Sequence, residues 1–163
     1  MSTAHEGATP GFLVWRLSMK WRVAVDRAVA PLGLTHAQYS LVASLYGMQR
    51  AGERPSQRRL ADRTGLEALY VSKLARSLES AGLLERTRDP RDPRAVQLAL
   101  TEQGRERTRQ AVEVVQDLLE QLLAPLGGLG SDRTREFERE LSTLLDAPLD
   151  PFVMHSDSDK EQS

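Results

Sequence analysis

A short helix, a tight turn and a second helix are predicted within residues 56–82, and this spacing constrains the fold more than any other feature of the chain. Ser56 is a good N-cap for the first helix, and Gly65 is placed to close it. The second helix is predicted to begin near Glu67 and to end at Gly82. Two helices joined by so few residues have the dimensions of a helix-turn-helix.

The second helix of this pair has one apolar face and one polar face. Helical spacing predicts a buried stripe made of Val71, Leu74, Ala75 and Leu78. The opposite face offers hydroxyl groups and cations, which suit the base edges and phosphates of a DNA major groove. These candidate contacts are Tyr70, Ser72, Lys73, Arg76 and Ser77. For this helix taken by itself, an ordinary surface helix with a solvated polar face is the alternative.

A β-hairpin with an arginine-rich loop is predicted directly after the second helix. The strands cover residues 83–88 and 95–100, and the second alternates apolar and polar positions with a period of two. Pro90 and Pro93 restrict the loop backbone, so its arginines project from a stiff support suited to a narrow minor groove. The candidate contacts of this hairpin are Arg88, Arg91, Asp92 and Arg94. Asp89 and Asp92 are expected to accept hydrogen bonds from loop N–H groups or to orient an arginine. A solvent-exposed hairpin with self-compensating charges is the alternative.

The charge of the chain is unevenly distributed. The whole sequence carries a net charge of −1, but the segment from Arg54 to Arg94 holds ten basic and six acidic residues. A basic segment inside a mildly acidic protein is typical of one lobe that faces phosphate. The chain has no cysteine and only three scattered histidines, so an enzyme, a thiolate metal site and a bound cofactor are not expected.

Long helices are predicted on both sides of this central block. One covers about residues 12–29, and a capping box from Thr35 to Gln38 opens the next. A helix from residue 101 to about 126 carries an apolar stripe that is too wide for one neighbour, which indicates a homodimer. Residues 131–146 form the last predicted helix. With no apolar run long enough for a membrane and no secretory signal, we expect a cytoplasmic protein.

Several of these segments together resemble the multiple-antibiotic-resistance regulator (MarR) family. The stretch from Arg59 to Leu66 is similar to its first helix and turn, and the stretches 71–74 and 78–86 are similar to its recognition helix and exit. Asp89-Pro90-Arg91-Asp92-Pro93-Arg94 matches the wing pattern D-x-R-D-x-R. Leu100-Thr101-Glu102-Gln103-Gly104 matches the Leu-Thr-x-x-Gly that opens the long dimerisation helix. One departure is Glu67-Ala68-Leu69-Tyr70, where the family often has small hydroxyl residues.

This resemblance implies a mainly α fold with a small β-hairpin wing: a winged helix-turn-helix with a helical dimerisation region formed by the N- and C-terminal helices. Residues 12–34 and 101–146 would form the dimerisation region, and residues 35–100 the DNA-binding domain. Residues 1–11 are expected to be a disordered arm and residues 147–163 an acidic flexible tail. The resemblance further implies a transcriptional regulator, with repression favoured, that binds palindromic double-stranded DNA as a homodimer. Arg94 would enter the minor groove, braced by Asp92.

A small aromatic-acid ligand is a further implication of the resemblance. The candidate residues for its cleft are Trp15, Met19, Trp21, Arg22, His36 and Tyr39. Packing in the core or at an interface is the alternative for each of them. A winged-helix module that contacts proteins and does not bind an operator is the alternative for the whole chain, and the arginines of the predicted wing argue against it.

Overall fold

The computed structural model describes residues 7–149, so most of the predicted arm and nearly all of the predicted tail lie outside the described range. Within that range, the helices are α1 (Pro10–Val29), α2 (His36–Arg50), α3 (Gln57–Thr64), α4 (Ala68–Ser80), α5 (Glu102–Leu123) and α6 (Asp132–Asp146). Between α4 and α5, strands β1 (Leu84–Arg88) and β2 (Val96–Leu100) form an antiparallel hairpin. No helix in residues 7–149 is long and apolar enough to cross a membrane.

The chain divides into two compact units, of which the first ends at Leu118 and the second begins at Leu119. The core of the first unit is built around α2, whose Leu41 and Leu45 are fully buried. The predicted stripe of α4 packs into the same core, because Val71, Leu74, Ala75 and Leu78 are all buried. The sequence prediction of a helix-turn-helix with one buried face is therefore confirmed.

The turn between α3 and α4 has the local structure that its residues predict. The Ser56 hydroxyl accepts a hydrogen bond from the Arg59 backbone N–H at 3.2 Å and so caps the start of α3. Gly65 ends that helix with φ +69°, a left-handed conformation that glycine adopts without steric cost. Leu66 then turns inward and packs against the core, which anchors the short connection.

The hairpin is attached to the helix-turn-helix through its second strand. Leu84 pairs with Leu100 at the base of the hairpin, and both side chains are buried. The Leu98 backbone N–H donates to the Pro55 carbonyl at 3.1 Å, just before α3 begins. The wing is therefore held against the start of α3 by backbone hydrogen bonding as well as by apolar packing.

The junction between β2 and α5 explains the Leu-Thr-x-x-Gly segment in physical terms. The Thr101 hydroxyl donates to the Gly82 carbonyl at 2.7 Å and accepts from the Gly104 backbone N–H at 2.9 Å. Gly104 lies close to Leu83, which stands between α4 and β1. A Cβ on residue 104 would be 1.8 Å from the Leu83 carbonyl oxygen. Only glycine permits this approach without a backbone shift.

The structure corrects two of the predicted boundaries. The first helix begins at Pro10. The Thr9 hydroxyl accepts the Phe12 N–H at 3.3 Å and caps the helix, and proline is well suited to the first helical position because it has no N–H to leave unpaired there. Residues 10 and 11 therefore belong to α1 and not to the predicted arm. The long helix ends at Leu123, and a short 3-10 helix, Ala124–Leu126, follows it because Pro125 cannot continue the α-helical hydrogen bonding.

Candidate nucleic-acid interface

The outward face of α4 carries two cations in line along the helix. Lys73 and Arg76 are exposed, and helical geometry places them opposite the buried Val71–Leu78 stripe. Nη2 of Arg76 donates a hydrogen bond to the Ser72 hydroxyl at 3.3 Å, one turn earlier on the same helix. The guanidinium therefore lies along the surface of α4, with most of its donors free for another acceptor.

The other two predicted contacts of α4, Ser77 and Tyr70, lie next to neighbouring helices of the protein. The Ser77 hydroxyl accepts a hydrogen bond from Gln38 Nε2 at 3.2 Å, which links the exposed face of α4 to the first turn of α2. Tyr70 is 43% exposed, and its ring forms part of a cleft between helices. Both side chains thus have surroundings that the periodicity of α4 by itself does not reveal.

The wing loop is shaped by its two aspartates acting on backbone groups. Asp89 Oδ1 accepts the Arg91 N–H at 2.8 Å, and Asp92 Oδ1 accepts the Arg94 N–H at 3.0 Å. Asp89 Oδ2 also accepts from Gln97 Nε2 at 3.0 Å. The hydrogen bond from the Arg91 N–H is the largest cause that holds the pKa of the Asp89 carboxyl below its usual value, and the bond from Gln97 acts in the same direction. Of the two roles expected for the loop aspartates, Asp92 therefore has the first, because it accepts from a loop N–H and holds the backbone at Arg94.

The cations of α4 and the wing form no salt bridges with carboxylates of the described residues. Within the part of the chain that the structure describes, none of the following forms a salt bridge: Lys73, Arg76, Arg88, Arg91 and Arg94. By contrast, Arg86, which lies between α4 and the wing loop, pairs with Glu79 at 3.4 Å. The loop aspartates accept from backbone N–H groups, and the positive charge of Arg91 also contributes to the lowered pKa of Asp89.

A cleft of about 540 Å³ lies where α1 and the start of α2 meet the helix-turn-helix. Its polar lining includes Arg22, Asp26 and His36, and Tyr70 of α4 forms part of its wall. Asp26 Oδ1 accepts the His36 backbone N–H at 2.9 Å. Burial is the main cause that lowers the pKa of the His36 imidazole, followed by the positive charge of Arg22, while Asp26 opposes the shift.

The structure does not bring the six residues predicted for a ligand cleft into one place. Arg22 and His36 share the cleft just described, whereas Met19 lines a separate groove along α1. Trp15 is 56% exposed on α1. Trp21 and Tyr39 pack against the core, and burial raises the pKa of the Tyr39 phenol. Sequence analysis also missed that Tyr70 lines the cleft, because no local pattern shows which neighbour a helix meets.

The fold and these surfaces define the class of the protein as a winged helix-turn-helix. A family model described as the MarR family matches residues 32–95. The HTH-type transcriptional regulator YdcH of Bacillus subtilis strain 168 is 37% identical over 110 residues, which are 68% of this chain and 75% of that protein. The chain belongs to the MarR family of transcriptional regulators, and the resemblance inferred from its motifs is confirmed.

Solved structures with the same fold include complexes with a ligand and with DNA. The PcaV transcriptional regulator from Streptomyces coelicolor, in complex with its natural ligand, is 26% identical with a TM-score of 0.73 over 90% of this chain and 99% of that chain. The transcriptional repressor CouR, bound to a 23-mer DNA duplex, is 28% identical with a TM-score of 0.73 over 89% of this chain and 98% of that chain. The predicted fold class is thereby confirmed, and membership in this family of regulators removes the enzyme alternative.

Proposed function

We propose that this protein binds a palindromic operator as a homodimer in the cytoplasm and represses transcription there. The observation that carries the proposal is a set of cations on two adjacent elements, Lys73 and Arg76 on α4 and the arginines of the wing loop, that form no salt bridge within residues 7–149. A helix with outward cations suits a major groove, and a stiff arginine loop beside it suits the adjacent minor groove. The DNA complex of CouR, a relative with the same fold, supports this arrangement.

Exposed apolar side chains on the terminal helices support a homodimer. On α1 the large apolar residues that reach solvent are Phe12, Leu13, Val14, Trp15, Leu17, Met19 and Val23. On α6, Leu144 and Leu145 are 63% and 85% exposed. Apolar surface of this extent marks an interaction site in a soluble domain. We propose that a second copy covers it, with residues 12–34 and 101–146 as the dimerisation region and residues 35–100 on the DNA.

A two-fold dimer presents two copies of α4 to the DNA, so the operator should be an inverted repeat. We expect half-sites centred about one helical turn apart, roughly 10 base pairs. Selection of bound duplexes from a random-sequence pool, followed by footprinting, tests this, and sedimentation of the complex gives the number of chains. Two chains on an inverted repeat are expected. A monomer near 18.2 kDa, direct repeats, or no sequence preference would overturn the proposal, and the last result would favour a protein-interaction module.

Repression is tested by placing the selected operator between a promoter and a reporter gene. Expression of the protein should lower reporter output, because a dimer seated on the operator blocks access of the polymerase to that DNA. An operator with both half-sites scrambled is the matched control and should leave the output unchanged. A rise in output from the intact operator would show activation in place of repression.

The cleft beside α4 supports control by a small aromatic acid. Arg22 supplies a positive charge that suits a carboxylate, and Tyr70 in the first turn of α4 places the cleft next to the DNA-facing surface. A ligand that fits the cleft only when α4 is displaced from its DNA-binding position would shift the population away from the bound state. The ligand complex of PcaV supports a site for small molecules in this fold.

Salicylate is the probe for this cleft. We expect it to raise the Tm of the free protein and to weaken operator binding, and we expect the Arg22→Ala variant to lose both responses. Tyr39→Phe is the matched control, because Tyr39 packs on the core and should leave both responses intact. The lowered pKa leaves His36 neutral at neutral pH, and a bound carboxylate favours its protonation. Salicylate binding should therefore tighten as the pH falls toward the lowered pKa of His36.

Equal responses in wild type and Arg22→Ala would remove the cleft from the proposal. A panel of hydroxybenzoates that changes neither the Tm nor operator binding would remove aromatic-acid control altogether. Neither outcome affects the proposal of operator binding, which depends on α4 and the wing.

A further inference from the structure

Leu69 is the most outward apolar side chain of α4. It is 85% exposed, although the core lies directly beneath the same helix. Leu69, Lys73 and Arg76 follow one another at i, i+4 and i+7, so helical geometry aligns them on the face opposite the Val71–Leu78 stripe. In the free protein the Leu69 side chain is in contact with water. Burial of this side chain against an apolar surface lowers the free energy.

The surroundings of Leu69 indicate what could cover it. Along the outward face, the following exposed positions are the cations Lys73 and Arg76 and the hydroxyl of Ser80. A protein partner would be expected to bind a wider apolar patch. On the outward face of α4, Leu69 is the single large apolar side chain and cations follow it, while the neighbouring Tyr70 lines the cleft. A DNA major groove offers the matching pattern, because the C5-methyl groups of thymines are apolar points within a polyanionic surface.

We propose that Leu69 contacts a thymine methyl group in each half-site of the operator and so determines sequence at that position. The inference rests on the proposed binding of operator DNA by α4, and it adds a residue that reads sequence without a hydrogen bond. Leu69 is the second residue of α4, and the N-terminal residues of a recognition helix are those that approach base edges. Apolar contact of a side chain with the thymine methyl distinguishes that base from the other three in the major groove.

The test removes single methyl groups from the DNA. In the operator selected by the full-length protein, each thymine of a half-site is replaced in turn by deoxyuridine, which keeps base pairing and the minor groove and lacks only the C5-methyl. Each replacement is made symmetrically in both half-sites. At the position that Leu69 reads, wild-type affinity should fall about fourfold per half-site, which is the effect of one buried methyl group.

The Leu69→Ala variant should bind the thymine and deoxyuridine operators equally at that position, with the affinity of wild type for the deoxyuridine operator. Because the Leu69 side chain is exposed, this change removes little packing and should leave the fold intact, which the circular dichroism spectrum checks. Lys73→Ala is the matched control on the same face. It should weaken binding to both operators and keep the wild-type ratio between them.

Three outcomes would overturn the inference. Wild type could bind every deoxyuridine operator as tightly as the thymine operator, the selected half-sites could lack thymine, or Leu69→Ala could weaken binding to both operators equally and keep the methyl preference. All three leave operator binding itself standing. If the selection yields no preferred sequence, the proposed function fails, and the inference fails with it.

Discussion

Replacement of Gly104 by alanine is expected to lower the free energy of unfolding by about 1–3 kcal/mol, the usual range for overpacking in a closely packed site. The added Cβ would stand 1.8 Å from the Leu83 carbonyl oxygen and 2.8 Å from the carbonyl carbon, and neither backbone atom can rotate away. The first turn of α5 would have to separate from the end of the α4–β1 connection. Urea denaturation at a fixed protein concentration measures the loss.

Gly47→Ala is the matched control for Gly104→Ala. Gly47 also lies inside a helix, α2, but a Cβ there meets nothing within 4 Å. This change should raise stability by roughly 0.5–1 kcal/mol, because alanine loses less backbone entropy than glycine in a helix. If Gly104→Ala is as stable as Gly47→Ala, the close approach of α5 to Leu83 is not the reason for the glycine.

Replacement of Arg94 by alanine is expected to weaken operator binding about tenfold or more per half-site, or about 1.4 kcal/mol for each tenfold change. The Asp92 carboxylate and the two loop prolines hold the backbone before Arg94, while its guanidinium has no ion-pair partner within the described residues. A positioned, uncompensated guanidinium can enter a narrow minor groove and respond to its negative potential. The loss should therefore be similar across operator variants.

The salt dependence of binding distinguishes this role from a general effect of charge. Each lost phosphate neutralisation makes the slope of log affinity against log salt less negative by about 0.9, and a symmetric dimer doubles the change. Arg139→Ala on α6 removes the same charge from an exposed position outside the proposed DNA-binding residues 35–100 and is the control. Unchanged affinity of Arg94→Ala would remove the wing from the mechanism.

Arg76→Ala offers the contrast within the recognition helix. If Arg76 reads a guanine, its loss should cost about 1–3 kcal/mol per half-site and relax the preference at one base pair. A uniform loss over an operator library, with a shallower salt slope, would instead identify Arg76 as a phosphate contact. Its hydrogen bond to Ser72 fixes the starting position of the guanidinium but allows either outcome.

The helix-turn-helix was predictable because each of its signals is local. Ser56 caps α3, Gly65 closes it, and the spacing from Val71 to Leu78 marks the buried face of α4. A side-chain hydroxyl, a left-handed glycine and a 3.6-residue period act over at most a few turns of chain. For the same reason the start of α1 was misplaced only by two residues, since the Thr9 cap is a weaker local signal than a long apolar period.

The candidate ligand cleft was far less predictable than the interface. Aromatic residues of the first two helices suggested a site, but Trp21 and Tyr39 pack on the core and Trp15 faces solvent on α1. Their positions depend on how α1 turns relative to α2, and no spacing within either helix specifies that rotation. The position of Tyr70 in the lining of the cleft was unpredictable for the same reason, because the contact between α4 and the start of α2 forms only in the folded protein.

The sequence by itself determined the order of the elements, the buried face of α4 and the arginine loop of the wing, because periodicity, capping groups and prolines act between near neighbours in the chain. Only the tertiary structure decided that Gly104 must clear the Leu83 carbonyl and that the cleft includes Tyr70. Contacts of this kind depend on the orientation and separation of whole elements, which the packing of the shared core sets and no local pattern encodes.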